Sequence, residues 1–416
     1  MFIDFSVENY RSIKEMETLS MSAATIVSKY KEVDKNNVIK HSDNLSLLKS
    51  KAIYGANASG KSNIIKALLS FISIIDNSVK DEKILLRQID PFRLSTETLA
   101  KPSYFQLCFL LNNIYYRYGF EATSEEIKSE WLFGSPGKRE VSFFTREKNT
   151  IVVNEKQFKE GVQVGNLFSR PENDIARTNS LFLTVVKSFS GGIAKEIIDY
   201  LSGYIIVSGL SDYKLHKQAE DALADKEKKR KITELLQIAD VGIDEIDRIE
   251  YQSDRQLEKK DYLTITRHKK YDENLESVGD VNFFMLTSES EGTKKMFEIG
   301  PVIIEALNEK KVLVMDEFDA RFHPLLTKKI VELFNSDANK GSQFIFVTHD
   351  TNLLSAKLLR RDQVCFVEKD KYSASHFYTL IDFKGVRNDA SFEKDYISGK
   401  YGAIPFLGDF SLIIED

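Results

Sequence analysis

Residues 55–62 read Gly-Ala-Asn-Ala-Ser-Gly-Lys-Ser, and this octet constrains the chain more than any other segment. It follows an apolar segment, residues 52–54, and precedes a helical pattern over residues 63–69. Glycines allow successive backbone N–H groups to turn inward around phosphate oxygens, and the helix that follows directs its positive N-terminus at the same anion. The order of strand, loop and helix therefore predicts a phosphate-binding loop. A glycine-rich turn that binds nothing is the alternative.

The phosphate-binding loop supplies most of the candidate ligand contacts. We expect Lys61 to reach the β- and γ-phosphates of a nucleotide and the hydroxyl of Ser62 to ligate Mg²⁺. The candidate nucleotide contacts in this segment are Gly55, Asn57, Ala58, Ser59, Gly60, Lys61, Ser62 and Asn63.

Composition bounds the class of protein without naming its partner. The hydrophobic fraction of 42% is typical of a globular protein, and the length of 416 residues is enough for one large domain with an insertion or for two domains. The longest apolar runs are strand-sized and no leader pattern opens the chain, so we expect no membrane association. Cys108 and Cys365 lie in apolar runs without metal-ligand spacing, which indicates reduced core residues in a cytoplasmic protein. The net charge of −5 argues against a wholly basic nucleic-acid binder but leaves a local basic stripe open.

Hydrophobic patterning divides the chain into three parts. Residues 1–156 contain short β-rich runs, with a hairpin signal at residues 112–113, and form a predicted N-terminal lobe with the phosphate-binding loop and an antiparallel β subdomain. Residues 157–275 are predicted to be a helical insertion without a long coiled coil. Residues 276–416 form a predicted C-terminal lobe in which strands alternate with helices, one of them over residues 351–359. This rhythm predicts a parallel sheet.

A second candidate element is the run Val-Leu-Val-Met-Asp-Glu at residues 312–317. Its four apolar residues predict a buried strand, and the acidic pair follows at the carboxyl end, where open α/β sheets bind their ligands. We expect Asp316 to hold Mg²⁺ and Glu317 to take a proton from the attacking water. A surface acidic turn is the alternative, but the preceding phosphate-binding loop favours the catalytic interpretation.

Two further segments carry candidate residues. Residues 288–295, Ser-Glu-Ser-Glu-Gly-Thr-Lys-Lys, lead into a helical run, and a second anion-binding helix start makes physical sense if a partner subunit delivers the nucleotide. Ser290 could instead simply cap this helix, and both interpretations can hold together. His349 directly follows the apolar residues 344–347, at the end of another predicted strand.

With these elements in order, the chain resembles the RecF/SMC/OLD-like branch of ABC-type ATPases, and more closely the compact AAA-family ATPases of bacterial abortive-infection and phage-defence systems of the RloA and AbiL kind. The resemblance extends to residues 5–12, 90–92 and 399–405. It implies an α/β fold, a P-loop NTPase of the ABC-ATPase head type with a mixed β-sheet core, an antiparallel β subdomain and a helical insertion. ATP and Mg²⁺ are the cofactors that it implies.

The resemblance also implies roles for individual residues. Ser290 and Gly292 match the signature motif, which contacts the γ-phosphate bound by the opposite subunit. His349 matches the switch histidine, which hydrogen-bonds the γ-phosphate and helps to orient water. Asp319 and His323 are candidates in the segment that matches the D-loop, which runs along the dimer interface, although His323 could equally cap the helix that follows it.

Other positions match the family less completely. Arg11 and Ser12 lie in the turn that approaches the adenine in this superfamily. Gln88 is the nearest candidate for the Q-loop glutamine, although its surroundings depart from the pattern. The candidate catalytic residues are therefore Glu317, His349 and Lys61.

These features predict an ATPase that dimerises around two ATP molecules, as a homodimer or a higher even-numbered oligomer. The resemblance implies that it acts as a sensor and regulatory switch for a separately encoded effector, a nuclease or toxin, in anti-phage defence. One alternative is a DNA-repair or chromosome-associated ATPase that grips DNA, with basic residues 226–231 as one contact. The other is a GTPase or small-molecule kinase, although the sequence lacks an Asn-Lys-x-Asp segment for reading guanine.

Overall fold

The computed structural model describes residues 1–168, 178–210, 213–239, 242–251, 261–384 and 391–405. In chain order the strands are β1 (Phe2–Glu8), β2 (Glu17–Ser20), β3 (Val38–Lys40), β4 (Ser46–Leu48), β5 (Ser50–Gly55), β6 (Ser103–Leu111), β7 (Ile114–Ala122), β8 (Ile127–Ser135), β9 (Val141–Glu147), β10 (Thr150–Val153), β11 (Ile205–Ser208), β12 (Glu245–Tyr251), β13 (Asp261–Tyr271), β14 (Ser277–Phe284), β15 (Val312–Asp316), β16 (Gln343–Val347), β17 (Val364–Lys369) and β18 (Ser375–Thr379). The helices are α1 (Lys31–Asn36), α2 (Lys61–Asn77), α3 (Ile84–Gln88), α4 (Lys159–Phe168), α5 (Phe182–Phe189), α6 (Ile193–Ser202), α7 (Tyr213–Ala222), α8 (Lys226–Ile238), α9 (Met285–Ser288), α10 (Glu291–Glu309), α11 (Pro324–Phe334) and α12 (Phe392–Ile397).

A six-stranded sheet carries the phosphate-binding loop. Its order is β11-β15-β16-β5-β17-β18, and all neighbours are parallel except the last pair, which makes the sheet mixed. Alternate residues of β15 point to opposite faces, so Val314 packs in a cluster with α2 while Leu313 packs in a cluster with α10 and α11. Burial of both faces explains the continuous apolar runs of these strands and confirms the predicted parallel sheet.

A seven-stranded antiparallel sheet forms the predicted β subdomain. Its order is β10-β9-β8-β7-β6-β1-β2. Asn112 and Asn113 have φ of 52° and 62°, the left-handed conformation that a two-residue hairpin turn requires, and they join β6 to β7 as predicted. Helix α2 packs on this sheet through Phe71, whose ring centroid lies 5.7 Å from that of Phe5 and 5.5 Å from that of Phe120.

A smaller three-stranded sheet, in the order β12-β13-β14, packs with α7, α8, α9 and α10 around its own apolar cluster. The helical prediction for residues 157–275 is therefore incomplete, because this stretch also contains β11, β12 and β13. Strand β11 has only four residues. Strand β13 alternates apolar and polar side chains over residues 263–266 and then has basic ones, a pattern that a search for helical faces overlooks.

The predicted helix over residues 351–359 is wrong. A single 3₁₀ turn at Thr351–Leu353 replaces it, capped by the Asp350 carboxylate, which accepts a hydrogen bond from the backbone N–H of Asn352 at 3.0 Å. The leucines of this segment are buried in a packed loop, and their apolar pattern mimics a helix face. Among the described residues, none of the helices has the length and apolar character needed to cross a bilayer.

Candidate functional site

The phosphate-binding loop joins the fully buried strand β5 to helix α2. Gly60 is the N-cap of α2 with φ of 106°, and Ala58 has φ of 62°, so the loop turns its backbone through the left-handed region twice. The Lys61 ammonium donates hydrogen bonds to the carbonyl oxygens of Gly55 at 2.9 Å and Ala56 at 2.8 Å. The lysine therefore closes the loop on itself and lies where it can reach a phosphate that enters it.

Two serines from other elements support the loop. The hydroxyls of Ser12 and Ser375 share a hydrogen bond of 2.7 Å, and Ser375 also donates to the carbonyl oxygen of Ser59 at 2.6 Å. The Asn63 side-chain amide donates to Ser12 at 2.6 Å. A Cβ on Gly60 would lie 2.1 Å from the Ser375 hydroxyl, so glycine is required at that position. Sequence patterns gave no signal for Ser375, which is 316 residues from its partner.

The acidic pair follows β15 as predicted. Asp316 ends the strand, and its carboxylate accepts a hydrogen bond of 3.1 Å from the backbone N–H of Glu317, which has φ of 51°. Gly209, at the end of the neighbouring strand β11, donates its N–H to the Asp316 carbonyl oxygen at 2.6 Å. A Cβ on Gly209 would lie 2.0 Å from the Glu317 carbonyl oxygen, which makes Gly209 a site residue that sequence reasoning missed.

Parallel pairing of β15 with β16 and of β16 with β5 places the predicted residues at one edge of the sheet, where their charges interact. Burial lowers the pKa of Lys61, and the negative charges of Asp316, Asp319 and Glu317 oppose that shift. Partial burial is the main cause that lowers the pKa of His349, and the positive charge of Lys61 lowers it further. The same three carboxylates oppose that shift. The structure therefore brings together five of the residues singled out from the sequence, at the carboxyl ends of β5, β15 and β16.

The segment after β15 also holds the end of β16. The Asp319 carboxylate oxygens accept hydrogen bonds from the His349 backbone N–H at 3.1 and 3.3 Å. The Phe318 N–H donates to the Val347 carbonyl oxygen at 2.9 Å. His323 caps α11, its Nδ1 accepting from the Leu325 N–H at 3.2 Å, so its capping interpretation describes this structure.

Ser290 is the N-cap of α10 and is exposed. Its hydroxyl accepts a hydrogen bond of 3.1 Å from the Thr293 N–H, so Ser290 caps this helix. Gly292 lies against the backbone of the segment after β15, because a Cβ there would meet the Arg321 carbonyl oxygen at 3.3 Å. Arg321 also forms an ion pair with Glu291, the first residue of α10.

Lys295 joins this helix start to the segment after β15. Its ammonium donates to the carbonyl oxygens of Phe318, at 2.8 Å, and Ala320, and lies 4.3 Å from the ring centroid of Phe322. Burial lowers the pKa of Lys295 to about 8. These hydrogen bonds fasten the start of α10 to the backbone that follows the acidic pair.

The turn after β1 lines a cavity of about 350 Å³ beside the phosphate-binding loop. Arg11 and Ser12 form part of its wall, together with residues 90–94. The Arg11 N–H donates to the Asp90 carbonyl oxygen at 2.7 Å, and the Asp90 carboxylate pairs with Arg93 at 2.7 Å. The turn is therefore packed on the Asp-Pro-Phe segment. The volume of the cavity falls in the range of small-molecule sites.

Gln88 lies away from the loop. Its side-chain oxygen accepts a hydrogen bond of 2.9 Å from Ser70, near the middle of α2. Ser70 is nine positions along the helix from Lys61, which is about 14 Å along the axis. The structure does not bring Gln88 to the candidate nucleotide site.

Together, the mixed sheet, the phosphate-binding loop and the acidic pair define a P-loop ATPase domain of the α/β class. The chain belongs to the family described as "AAA domain, putative AbiEii toxin, Type IV TA system", which matches residues 52–355. The predicted α/β fold, with a mixed core sheet that carries the phosphate-binding loop and an antiparallel β subdomain, is confirmed. ATP binding and ATPase-type hydrolysis are the activities that this membership supports.

Heads of SMC proteins are similar to the chain among solved structures. The SMC head bound to the C-terminal winged-helix domain of ScpA is 15% identical with a TM-score of 0.46, covering 91% of this chain and 97% of that chain. The SMC head domain from Thermotoga maritima is 13% identical with a TM-score of 0.43, covering 91% and 98%. The Smc head domain with an extended coiled coil from Pyrococcus furiosus, bound to the C-terminal domain of ScpA, is 14% identical with a TM-score of 0.41. The match covers 96% of this chain and 98% of that chain. No curated protein matches the chain.

Proposed function

We propose that the chain is an ATP-driven switch in which two copies close around two ATP molecules and reopen after hydrolysis. ATP would bias this two-state assembly by binding more tightly to the closed form. In this proposal the closed state controls a separately encoded effector, a nuclease or toxin, in bacterial anti-phage defence.

One observation carries the proposal: groups suited to phosphate are exposed in two different segments of the chain. Asn57 and Ala58, at the tip of the phosphate-binding loop, are exposed, and so is Ser290 at the start of α10. Lys295 joins that helix start to the backbone next to Asp319, which holds the backbone of His349. The N-terminus of α10 is thus linked to the candidate hydrolytic residues and not to the phosphate-binding loop. This arrangement favours a nucleotide shared between two copies.

The residues fit the roles expected of them. Lys61 would exchange the two loop carbonyls for phosphate oxygens, and the half-buried hydroxyl of Ser62 and carboxylate of Asp316 are the hard oxygen ligands that suit Mg²⁺. Bound Mg²⁺ would neutralise charge that develops on the phosphates. Glu317 would accept a proton from water, and His349, whose pKa is lowered, would remain neutral and orient that water.

The loop and its neighbours also fit a phosphate. The Ser59 hydroxyl is buried and has no hydrogen-bond partner within the described part of the chain. An incoming phosphate oxygen would satisfy such a group. The cavity beside Arg11 and Ser12 would receive the base, and we propose that the base is adenine.

The effector role rests on the family alone. The family's description names a toxin and a toxin–antitoxin system, which supports a partner that the ATPase holds or releases. Likeness to the RloA and AbiL systems, a cytoplasmic location and an even-numbered assembly belong to this proposal. Two buried free cysteines, whose pKa values burial raises to about 11, suit a reducing compartment.

The basic run at residues 226–231 offers little support for the DNA-binding alternative. Arg230 pairs with Glu227 and Glu234, and Lys229 pairs with two carboxylates of β12. Carboxylates that already neutralise these cations would compete with nucleic-acid phosphates.

The test is the substitution Glu317→Gln, with Glu332→Gln as a matched control on the surface of α11. We expect Glu317→Gln to bind ATP, accumulate closed dimers in light scattering after size exclusion, and lose turnover. The control should behave as the unmodified chain does. Unchanged hydrolysis in Glu317→Gln would refute the catalytic assignment, and mass spectrometry of the native co-purified material would test for an effector.

A further inference from the structure

Strand β14 is the last strand of the described three-stranded sheet, and all of its 8 residues are exposed. Its large apolar side chains have exposed fractions of 56% for Val278, 36% for Val281, 39% for Phe283 and 47% for Phe284. The strand contains neither lysine nor proline, the residues that natural sheets use to block pairing at an edge, and Asp280 is its single charge. Its outer edge is thus a template for another strand.

We propose that β14 pairs antiparallel with β14 of a second copy of this chain, about a twofold axis through Val281. In that register Val281 faces Val281 of the other copy, and residues 280, 279 and 278 face residues 282, 283 and 284. The two three-stranded sheets would become one six-stranded sheet across the axis. A twofold contact of this kind uses the same surface on both copies.

The sequence of β14 is complementary to itself in this register. Asp280 faces the neutral amide of Asn282, and no two like charges meet. Phe283 covers Gly279, the strand position without a side chain, as aromatic residues cover glycines in other sheets. Pairing about Asp280 instead would set two carboxylates directly opposite each other, which is unfavourable.

Both faces of the pairing gain apolar contacts. Alternation along a strand puts Val281, Gly279 and Phe283 on one face and Val278 and Phe284 on the other. Each face therefore acquires a cross-strand apolar pair with the second copy, which would cover side chains now exposed to water.

This contact is separate from the ATP-dependent dimer and does not require nucleotide. A pairing of two short strands is smaller than a standard stable interface, so it should be concentration-dependent when it acts alone. Combined with the ATP-dependent contact, a second twofold interface would build closed tetramers or longer even-numbered assemblies. It would also lie close to the start of α10, because β13 holds Glu289 through His268 at 2.7 Å.

Cysteine cross-linking tests the register. Cys108 and Cys365 are both buried, so background labelling is low. A residue on the twofold axis faces itself, so nucleotide-free Val281→Cys should form covalent dimers with a short bismaleimide at least about tenfold faster than Ile249→Cys, which is 41% exposed on β12 of the same sheet. Equal rates for the two variants would overturn the proposal.

A mixed experiment distinguishes this register from loose association. Asp280→Cys and Asn282→Cys chains should cross-link to each other faster than either links to itself, because these positions face each other across the axis. A mixture that links no faster than the separate chains would contradict the pairing. Adding Ser290→Ala to Val281→Cys separates this inference from the proposed function, since the cross-link should persist even where ATP-dependent dimers are lost.

Discussion

The substitution Gly209→Ala tests how tightly the acidic pair is positioned. The backbone of Gly209 lies outside the left-handed region, so alanine introduces no conformational strain of its own. Its Cβ would lie 2.0 Å from the Glu317 carbonyl oxygen, whereas ordinary contact begins at 3.4 Å, so the two backbones must separate by about 1.4 Å, the difference of these distances. The hydrogen bond from the Gly209 N–H to the Asp316 carbonyl oxygen would stretch with them.

A displacement of about 1 Å at a catalytic group costs on the order of 100-fold in rate, which corresponds to about 2.7 kcal/mol of barrier. We therefore expect kcat of Gly209→Ala to fall about 100-fold, with little change in ATP affinity because residues 55–63 are untouched. Steady-state ATP hydrolysis measures the first quantity and titration with a fluorescent ATP analogue the second.

Gly137→Ala is the matched control, because a Cβ at Gly137 meets no atom within 4 Å. It should hydrolyse ATP at the rate of the unmodified chain. A rate within twofold of the unmodified chain in folded Gly209→Ala would refute the reasoning, since the acidic pair would then tolerate the displaced backbone.

Three other substitutions address separate parts of the account. Gly60→Ala should abolish ATP binding in a fluorescent-analogue titration, because its Cβ would collide with the serines that support the loop, and retained binding would contradict that role. The pKa of Lys295 lies at about 8 in the folded chain and near 10.5 when unfolded, so above pH 8 the unfolded chain binds the extra proton and stability rises with pH. From pH 8 to 10.5 the urea-unfolding free energy of the unmodified chain should therefore rise by up to about 3 kcal/mol relative to that of Lys295→Met. A relative free energy that does not change with pH would exclude this burial effect. Arg146→Met leaves the fully buried Glu130 carboxylate without its cation and should destabilise the fold by about 3–5 kcal/mol in urea, so a loss below about 1 kcal/mol would be inconsistent with a buried pair.

The phosphate-binding loop and β15 could be predicted because their signals are local. A glycine-rich octet between a strand and a helix, and an apolar run that ends in two carboxylates, require neighbours in sequence only. The same reasoning located His349 beside them, because parallel strands end at one edge of a sheet.

Residues that position the site through distant contacts could not be found in this way. Gly209 lies next to Glu317 only because β11 pairs with β15, and a four-residue strand gives no detectable period. Ser375 and Lys295 act through backbone carbonyls, which any sequence supplies. The segment 351–359 misled for the opposite reason, since buried loop leucines reproduced a helical pattern.

Mixing two inactive variants tests the shared ATP site most directly. Lys61→Ala removes the phosphate-binding lysine, and Ser290→Arg blocks the exposed start of α10, so each variant alone should hydrolyse no ATP. Random pairing makes half of the dimers mixed, and each mixed dimer has one intact site of two, so an equal mixture should recover about a quarter of the unmodified rate. Full activity of Ser290→Arg alone, or no recovery in the mixture, would contradict a site completed by a second copy.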